Sequence, residues 1–417
     1  MKAPGSKYSP LYSAEDFFDF SDLDQFCAGH PYTAYERLRK EAPIYWQSVE
    51  PPGRGYWILS RYSDIQYVSR NPQLFVSGQG FKASDDSYER MGLDIDSAMR
   101  RILLATDGAE HADFRQILQP YFSLKTAKSM EADMRKYVTG ILDRLDGKKS
   151  IDAVRDVAIE LPILVLCNIL GVPESDQSRI LNWTNRMVGV DDPDFNASPQ
   201  QAAAAFREVF DYGRELVRDR QLNPQNDLIS LVANAKINGK PLEASQTDGF
   251  FVLMVGAGNE TSRNSITGSL HALSLFPEMR RKLVENSDGI KTSVEELLRH
   301  ISPVIHMRRT AADDVVISGQ KIAAGEKVVL LYGSANRDPE VFPEPNKLDF
   351  QRSNANSQIA FGHGIHLCLG AMFARMEVGI MLQEFLKRYA DYELEAEPAY
   401  LRSHFVHGIK SMPIRLN

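Results

Sequence analysis

The sequence predicts a mainly α-helical protein with a smaller β-rich region, and three observations predict it. Apolar residues recur at three- and four-residue spacing through residues 123–145, 154–170, 174–190 and 200–221, the periodicity of helices that bury one face. Short aromatic or β-branched runs bounded by glycine and proline, at 44–49, 56–60, 315–317 and 327–331, have the length and punctuation of strands. No proline-, glycine- or serine-rich linker, charge block or repeat divides the 417 residues. Helices and strands are therefore expected to share one domain over 31–417, with 1–30 as an N-terminal extension packed on it.

Composition narrows the class. Hydrophobic residues make up 43% and charged residues 25%, enough apolar material for a sizeable core. A net charge of -7 argues against nucleic acid as a partner. Three cysteines without paired spacing fit a reducing compartment and no disulfide framework. The N-terminal stretch has neither a signal-peptide core nor an apolar run long enough to span a bilayer, so the expectation is a soluble, cytoplasmic protein with no membrane anchor.

In chain order, residues 31–42 read as a short amphipathic helix. The runs 44–49 and 56–60, separated by Pro-Pro-Gly-Arg-Gly, read as a β-hairpin, and 63–69 as a second short helix. Residues 73–107 carry Gly-Gln-Gly and Ser-Asp-Asp-Ser with weak periodicity; so long a connection is read as a functional loop, with a disordered insertion as the alternative. Asp107 is placed to N-cap a helix that carries His111 and Arg115 on one face. After the helical patterns to 221, interrupted by a turn-rich loop at 191–199, residues 223–238 read as one more helix. Residues 302–310 begin a strand region, and Asn336-Arg-Asp-Pro and Phe342-Pro-Glu-Pro form a proline-rich meander. The tail from 404 to 415 has no strong pattern.

Two stretches carry chemistry. The first is Phe361-Gly-His-Gly-Ile-His-Leu-Cys-Leu-Gly370. A lone cysteine is ordinarily a small buried hydrophobe, and Cys27 and Cys167 are read that way. Cys368 differs: an apolar helical run follows Gly370, so its sulfur sits at a helix N-terminus whose partial positive charge favours a thiolate, with amide N–H groups in reach of it. Gly364 and Gly370 supply positions where no Cβ blocks close approach of backbone to a flat metal cofactor such as haem. The second stretch, 250–266, begins as a buried helix and turns abruptly polar. Gly256 and Gly258 each cost about 1 kcal/mol relative to Ala in a helix interior, which suggests that a flat group needs the missing volume. Thr261 can back-bond to the Ala257 carbonyl and bend the helix, and Glu260 adds an ionisable group beside it. By itself Glu296-Leu-Leu-Arg299 is a weak signal, an ion pair of a kind common on solvated helix faces.

At these residues the sequence resembles the cytochrome P450 family, whose motifs occur here in the right order from about residue 31 onward. The resemblance implies a cytochrome P450 fold in which Cys368 is the axial ligand to the iron of haem b (iron protoporphyrin IX), with Ala257, Phe361 and Gly370 against the cofactor. It implies that His111, Arg115, Arg309 and His366 face the propionates, with Arg308 the competing candidate for Arg309. Ala257-Gly-Asn-Glu-Thr261 matches the oxygen-activation motif, where Glu260, at a position where Asp is common, and Thr261 are the catalytic pair that delivers protons to dioxygen. Glu296, Arg299 and Arg352 would form an ion-pair network behind the cysteine loop. Leu253, Gly256, Ala257, Val304, Ile305 and Met307 would line the substrate pocket, with 73–107 part of it, 191–199 its mobile cover and 404–415 a closing hairpin. The implied activity is a monooxygenase that hydroxylates an apolar substrate with O2: a terpenoid, steroid or branched lipid, with fatty acids and aromatic compounds as alternatives. The chain has no flavin or nicotinamide fingerprint and no cysteine cluster, so electrons must come from elsewhere, and likeness to soluble bacterial members points to a ferredoxin and its ferredoxin reductase. A reading from another class is a non-catalytic haem gas sensor, which would not need Glu260 and Thr261.

Overall fold

The N-terminal part lays down one edge of a sheet. The computed structural model describes residues 6–11, 18–49, 55–84, 99, 101–286 and 289–417. Helix α1 (Tyr32–Glu41) leads into the antiparallel strands β1 (Ile44–Gln47) and β2 (Tyr56–Leu59), with Trp46 opposite Trp57 and their rings edge-on at 5.0 Å. Helix α2 (Tyr62–Arg70) and the short β3 (Phe75–Val76) follow. Of the long stretch 73–107, β3 and a 3₁₀ turn at Leu103–Ala105 are ordered elements, whereas most of Ser-Asp-Asp-Ser lies outside the described residues. Asp107 stands at the N-cap of α3 (Gly108–Leu118), yet its side chain does not cap the helix. Its carboxylate accepts instead from the amides of Ser77 and Gly78 at 2.8 and 2.7 Å, tying β3 to α3.

The helical part departs from the expected boundaries at two places. Residues 123–145 form two helices, α4 (Leu124–Ser129) and α5 (Glu131–Asp143); the Ser123 hydroxyl caps the first, and its last turn closes on Met130. Beyond β4 (Ser150–Asp152), a π-helical turn at Ala153–Ala158 runs into α6 (Glu160–Leu170), followed by α7 (Gln177–Val188) and α8 (Pro199–Leu222). Only α9 (Leu228–Ala233) of the expected helix 223–238 is helical. Asn238 and Gly239 adopt φ of 52° and 77°, and this Asn-Gly turn joins β5 (Lys236–Ile237) to β6 (Lys240–Pro241). Asn-Gly is the strongest short-range hairpin signal, and it overrode the helical periodicity.

A long buried helix then crosses the molecule in two pieces, α10 (Ala244–Gly258) and α11 (Glu260–Leu275), broken at Asn259, and α12 (Pro277–Glu285) and α13 (Ile290–Ile301) pack beside it. Strands β7 (His306–Ala311) and β10 (Lys327–Leu331) flank a hairpin of β8 (Val315–Ile317) and β9 (Gln320–Ile322). They return to the first sheet, which has the order β1-β2-β10-β7-β3; β10 runs parallel to β2, with Val329 opposite Ile58, and antiparallel to β7, with Leu330 opposite Met307. After α14 (Tyr332–Ala335) and the meander, α15 (Ala371–Arg388) begins directly behind the cysteine loop. The tail forms strands: β11 (Tyr392–Leu394) and β14 (Pro413–Leu416) join β4, and β12 (Ala399–Tyr400) pairs with β13 (Ile409–Ser411). Cys167 is buried, its thiol pushed up to about 12 by desolvation, whereas Cys27 is exposed, contrary to its reading as core.

Glu296, Arg299 and Arg352 meet under the meander. Arg299 is 0% exposed and donates to Glu296 at 2.7 and 2.8 Å and to the carbonyls of Asn336, Pro345 and Lys347. Arg352 donates to both Glu296 oxygens at 3.1 Å. One planar guanidinium thus satisfies three carbonyls that a chain without regular structure would leave unpaired. Removing one member of a buried pair strands the other, at a cost of about 3–5 kcal/mol. Arg299→Met should lower stability by that amount in denaturant unfolding, and Arg299→Lys, which lacks the fork, by nearly as much.

Candidate active site

A cavity of about 230 Å³ lies between the broken helix and the cysteine loop. Its roof is a face of α10 and α11: Leu253, Ala257, Gly258, Thr261, Ser262 and Ser265. Its floor is Phe361, Gly362, His366, Cys368 and Gly370, with Phe373 and Ala374 of α15. The sides come from His111 and Arg115 on α3, from Met307 and Arg309 on β7, and from Val304 just before that strand.

The helix break has an identifiable cause. The Thr261 hydroxyl donates to the Ala257 carbonyl at 2.9 Å, and the buried Thr184 hydroxyl of α7 reaches the Val255 carbonyl at 3.1 Å. Side-chain hydroxyls thus take two carbonyls just ahead of Asn259, which opens the ladder. The two glycines differ: Gly258 is in the roof, where a Cβ would press on Leu166 of α6 at 3.1 Å, whereas a Cβ at Gly256 would make an ordinary contact with Met187 of α7 at 3.5 Å and the residue is absent from the lining, a correction to its place in the pocket. Glu260 also turns away from the cavity. It is 1% exposed, and its Oε1 accepts from Arg263 and from Asn264 at 2.9 Å, while Arg263 donates to Asn185 of α7 at 2.9 Å.

On the other side, the loop is held so that Cys368 faces inward. Its N–H donates to the Phe361 carbonyl at 2.9 Å, and the Gly370 N–H bonds its sulfur. Gly362 and Gly364 both adopt positive φ, 76° and 73°. A Cβ at Gly364 would stand 2.1 Å from the Ser69 carbonyl oxygen, so this glycine lets the loop press on α2 and has no contact with the cavity; Gly370, at φ -81°, has open space beside it. Arg375 lies over the Phe361 ring at 4.5 Å and pairs with Glu295. Cys368 has accessible surface only because its sulfur borders the cavity. Burial pushes its thiol up, while the Gly370 N–H and the charges of Arg115 and Arg375 pull it down. A metal ion at the sulfur reverses that balance, because a coordinated thiol loses its proton.

Four basic side chains share one flank of the cavity. The rings of His111 and His366 are 4.3 Å apart, and His366 Nε2 is 3.0 Å from the Ser77 hydroxyl. Arg115 donates to the Leu367 carbonyl at 2.8 Å and Arg309 to the Arg308 carbonyl at 2.8 Å; neither has a carboxylate partner among the described residues. The His111 Nε2 is buried without a partner. Burial, and then the charges of Arg115 and Arg309, lower His111 from the usual imidazole range, and burial followed by Arg309, His111 and Arg115 pushes His366 down to about 2. Arg308, the competitor, points elsewhere: its guanidinium donates to the carbonyls of Gln79 and Lys82. Ile305 is a second correction. It packs at 1% exposure in the cluster of Phe20, Phe26 and Tyr35, whereas Val304 and Met307 line the cavity. Strand alternation holds only from His306 onward, so extending it back by one residue chose the wrong side.

The family profile for cytochrome P450 matches residues 73–399, which is most of the chain. The chain belongs to the cytochrome P450 family. It is 36% identical, over 91% of its length and 90% of theirs, to a methyl-branched lipid omega-hydroxylase of Mycobacterium tuberculosis, and 34% identical, over 95% and 98%, to linalool 8-monooxygenase of Pseudomonas putida. A Mycobacterium marinum cytochrome P450 solved in complex with pseudoionone superposes with a TM-score of 0.90 at 32% identity, covering 98% of this chain and 100% of that one. The fold is thus a cytochrome P450 fold, the chain is an oxidoreductase of the monooxygenase type, and the cofactor of its family is haem b.

The residues present fit that cofactor. An apolar slot bears one inward cysteine on its floor, and two arginines and two histidines without acidic partners among the described residues line one flank, the donor set that a flat group with two carboxylates requires. Sequence reasoning missed Ser262, Ser265 and Glu377, all on the cavity wall. The signal for Glu377 was present: it sits four residues after Phe373 and three after Ala374, a lone charge on the inward face of an otherwise apolar helix. A charge-assisted bond to a carboxylate contributes about 1.5–3 kcal/mol, so Arg309→Met should speed haem loss about tenfold or more, read by transfer to a haem-scavenging protein.

Proposed function

We propose that this cytochrome P450 hydroxylates a terpenoid, steroid or methyl-branched lipid, using electrons from a ferredoxin and its reductase. The observation that carries the substrate class is the lining around the sulfur: Leu253, Ala257, Val304 and Met307, with Leu103 and Leu166, offer an apolar slot. The linalool and methyl-branched lipid enzymes support the same class.

Haem b, when bound, supplies the chemistry that activates dioxygen, places one oxygen atom in a C–H bond and sends the other to water. The protein's own part is positional and protonic. Cys368 holds the cofactor and lends it thiolate charge. His111, Arg115, Arg309 and His366 neutralise its carboxylates. Val304 and Met307 orient the substrate and exclude water, which strengthens every polar interaction inside. The Thr261 hydroxyl, engaged as donor to Ala257, offers its oxygen as acceptor at the break, where a water can be ordered. Glu260, held by Arg263 and Asn264, exchanges protons behind it. Electrons enter from the face outside Cys368, where Ile365 and Leu367 are 38% and 46% exposed beside Arg70, a surface suited to an acidic carrier.

With a ferredoxin pair and a panel of terpenoids, sterols and branched lipids, the purified enzyme should show displacement of the haem water by one of these classes and form a hydroxylated product. Cys368→Ser should lose both the thiolate spectrum and turnover. Thr261→Ala should still consume reducing equivalents but release them as peroxide; a variant that keeps oxygen use tightly coupled to product removes Thr261 from proton delivery.

A further inference from the structure

Two side chains hold Glu260, and each is anchored on an element outside α11. Arg263 donates to Glu260 and also to the Asn185 side chain of α7 at 2.9 Å. Thr184, the residue before Asn185, holds the Val255 carbonyl, so α7 grips the broken helix both ahead of Asn259 and beyond it. Asn264, 1% exposed, donates to Glu260 at 2.9 Å, while its side-chain carbonyl accepts from the Ile409 N–H of β13 at 3.2 Å. A Cβ at Gly408 would stand 3.3 Å from the Glu260 Oε1, so the hairpin of β12 and β13 lies directly against the acid.

These two anchors are joined to each other at Asp192. The loop 189–198 leaves the end of α7, where the Asn196 side-chain amide donates to the carbonyls of Arg186 and Gly189 at 2.9 and 2.8 Å. Asp192 in that loop is 0% exposed, whereas Asp191 and Asp194 are not buried. Its carboxylate accepts from the Arg402 N–H at 2.9 Å and from Lys410 at 3.0 Å, both in the hairpin, and from the Asp194 N–H at 2.9 Å. Burial works against its charge, but the amide bonds and Lys410 win and keep the carboxyl below the usual carboxylate range. Lys410 directly follows Ile409, the residue that holds Asn264. The polar contacts therefore form a circuit that starts and ends at Glu260, with Asp192 as the joint between its two arms. Fixing the loop alone would need no buried charge, which is costly to desolvate, because Asn196 already ties the loop to α7.

We propose that Asp192 is a positioning residue for Glu260: by joining loop 189–198 to the hairpin it keeps both arms in place, and the acid stands ready behind Thr261 only while that joint is made. The proposal rests on proton exchange at Glu260. Asp192 itself takes part in no bond making or breaking; it sets the geometry in which Glu260 works, through Asn185 and Arg263 on one side and through Ile409 and Asn264 on the other.

The test uses the haem-loaded enzyme and its Asp192→Asn, Lys410→Met, Lys410→Arg and Asn264→Ala variants. Hydrogen exchange reads the geometry without turnover. In Asp192→Asn and Lys410→Met, the amides of β13 and of the first two turns of α11 should exchange about tenfold faster, while those of α15 stay as in the wild type. Turnover of the panel compound that the wild type hydroxylates reads the consequence. In the same two variants, product formed per reducing equivalent should fall about tenfold, with an unchanged substrate-binding spectrum; misplacing a reacting group by about 1 Å can cost up to about 100-fold. Lys410→Arg, which keeps the charge, should recover most of the yield. Asn264→Ala should lower the yield by itself and add little to Asp192→Asn, because both open the same circuit. Yield within about twofold of wild type in Asp192→Asn and Lys410→Met overturns the proposal, as do unchanged exchange rates in α11 or effects that multiply in the double variant. A weakened substrate spectrum with the yield intact would make Asp192 a closure of the cavity alone and overturns it as well. If Glu260→Gln keeps the full yield, the parent reading fails instead, and the exchange rates still decide whether Asp192 fixes the position of the acid.

Discussion

A sulfur can be presented to a metal across an apolar cavity only if the backbone that carries it is fixed from behind, since nothing in the cavity itself can hold a loop. The chain meets this constraint mainly with contacts behind Cys368, helped by Arg115 on the cavity flank, which holds the Leu367 carbonyl. Gly364 allows the loop to press on the Ser69 carbonyl, the Cys368 N–H closes onto Phe361, and Arg375 clamps the Phe361 ring while paired with Glu295. Further back, Arg299 and Arg352 converge on Glu296 and gather the carbonyls of the meander that feeds the loop. Every one of these residues serves a geometry that ends in one inward sulfur.

The opposite wall obeys a complementary rule. A regular helix there would present a closed ladder of backbone bonds and no polar group to the cavity. Hydroxyls from Thr261 and Thr184 take the Ala257 and Val255 carbonyls, and the helix opens where small-molecule chemistry needs an acceptor. The guanidinium on the flank is stable only with respect to an anion that the protein does not supply, since burying Arg309 without a carboxylate is otherwise costly.

Much of this was legible in the sequence because local rules decided it. The cysteine loop, the back-bond of Thr261 to Ala257, the β1–β2 hairpin and the helices from α5 to α8 follow from glycine placement, hydroxyl chemistry and periodicity within short windows. What escaped depended on neighbours far along the chain. Gly256 reads as space for a cofactor until Met187 of α7 is seen against it. Ile305 reads as pocket until the aromatic cluster from residues 18–35 shows which side of the strand is already filled. Glu377 vanishes in an apolar helix pattern, because a period shows which face is inward and not what an odd residue on it will meet. The Asn-Gly turn at 238–239 was a local signal too, and a competing helical period masked it.

The sheet order has a bearing on biogenesis. Strand β2 finds its parallel neighbour β10 only after most of the chain has left the ribosome. Such distant pairing forms late, and until then Trp57, Ile58 and Leu59 sit on an unpaired strand edge of the kind that associates with other chains. The strand that completes the sheet, β10, leaves the ribosome before the cysteine loop, so the adhesive edge is covered before the site that takes the pigment is made.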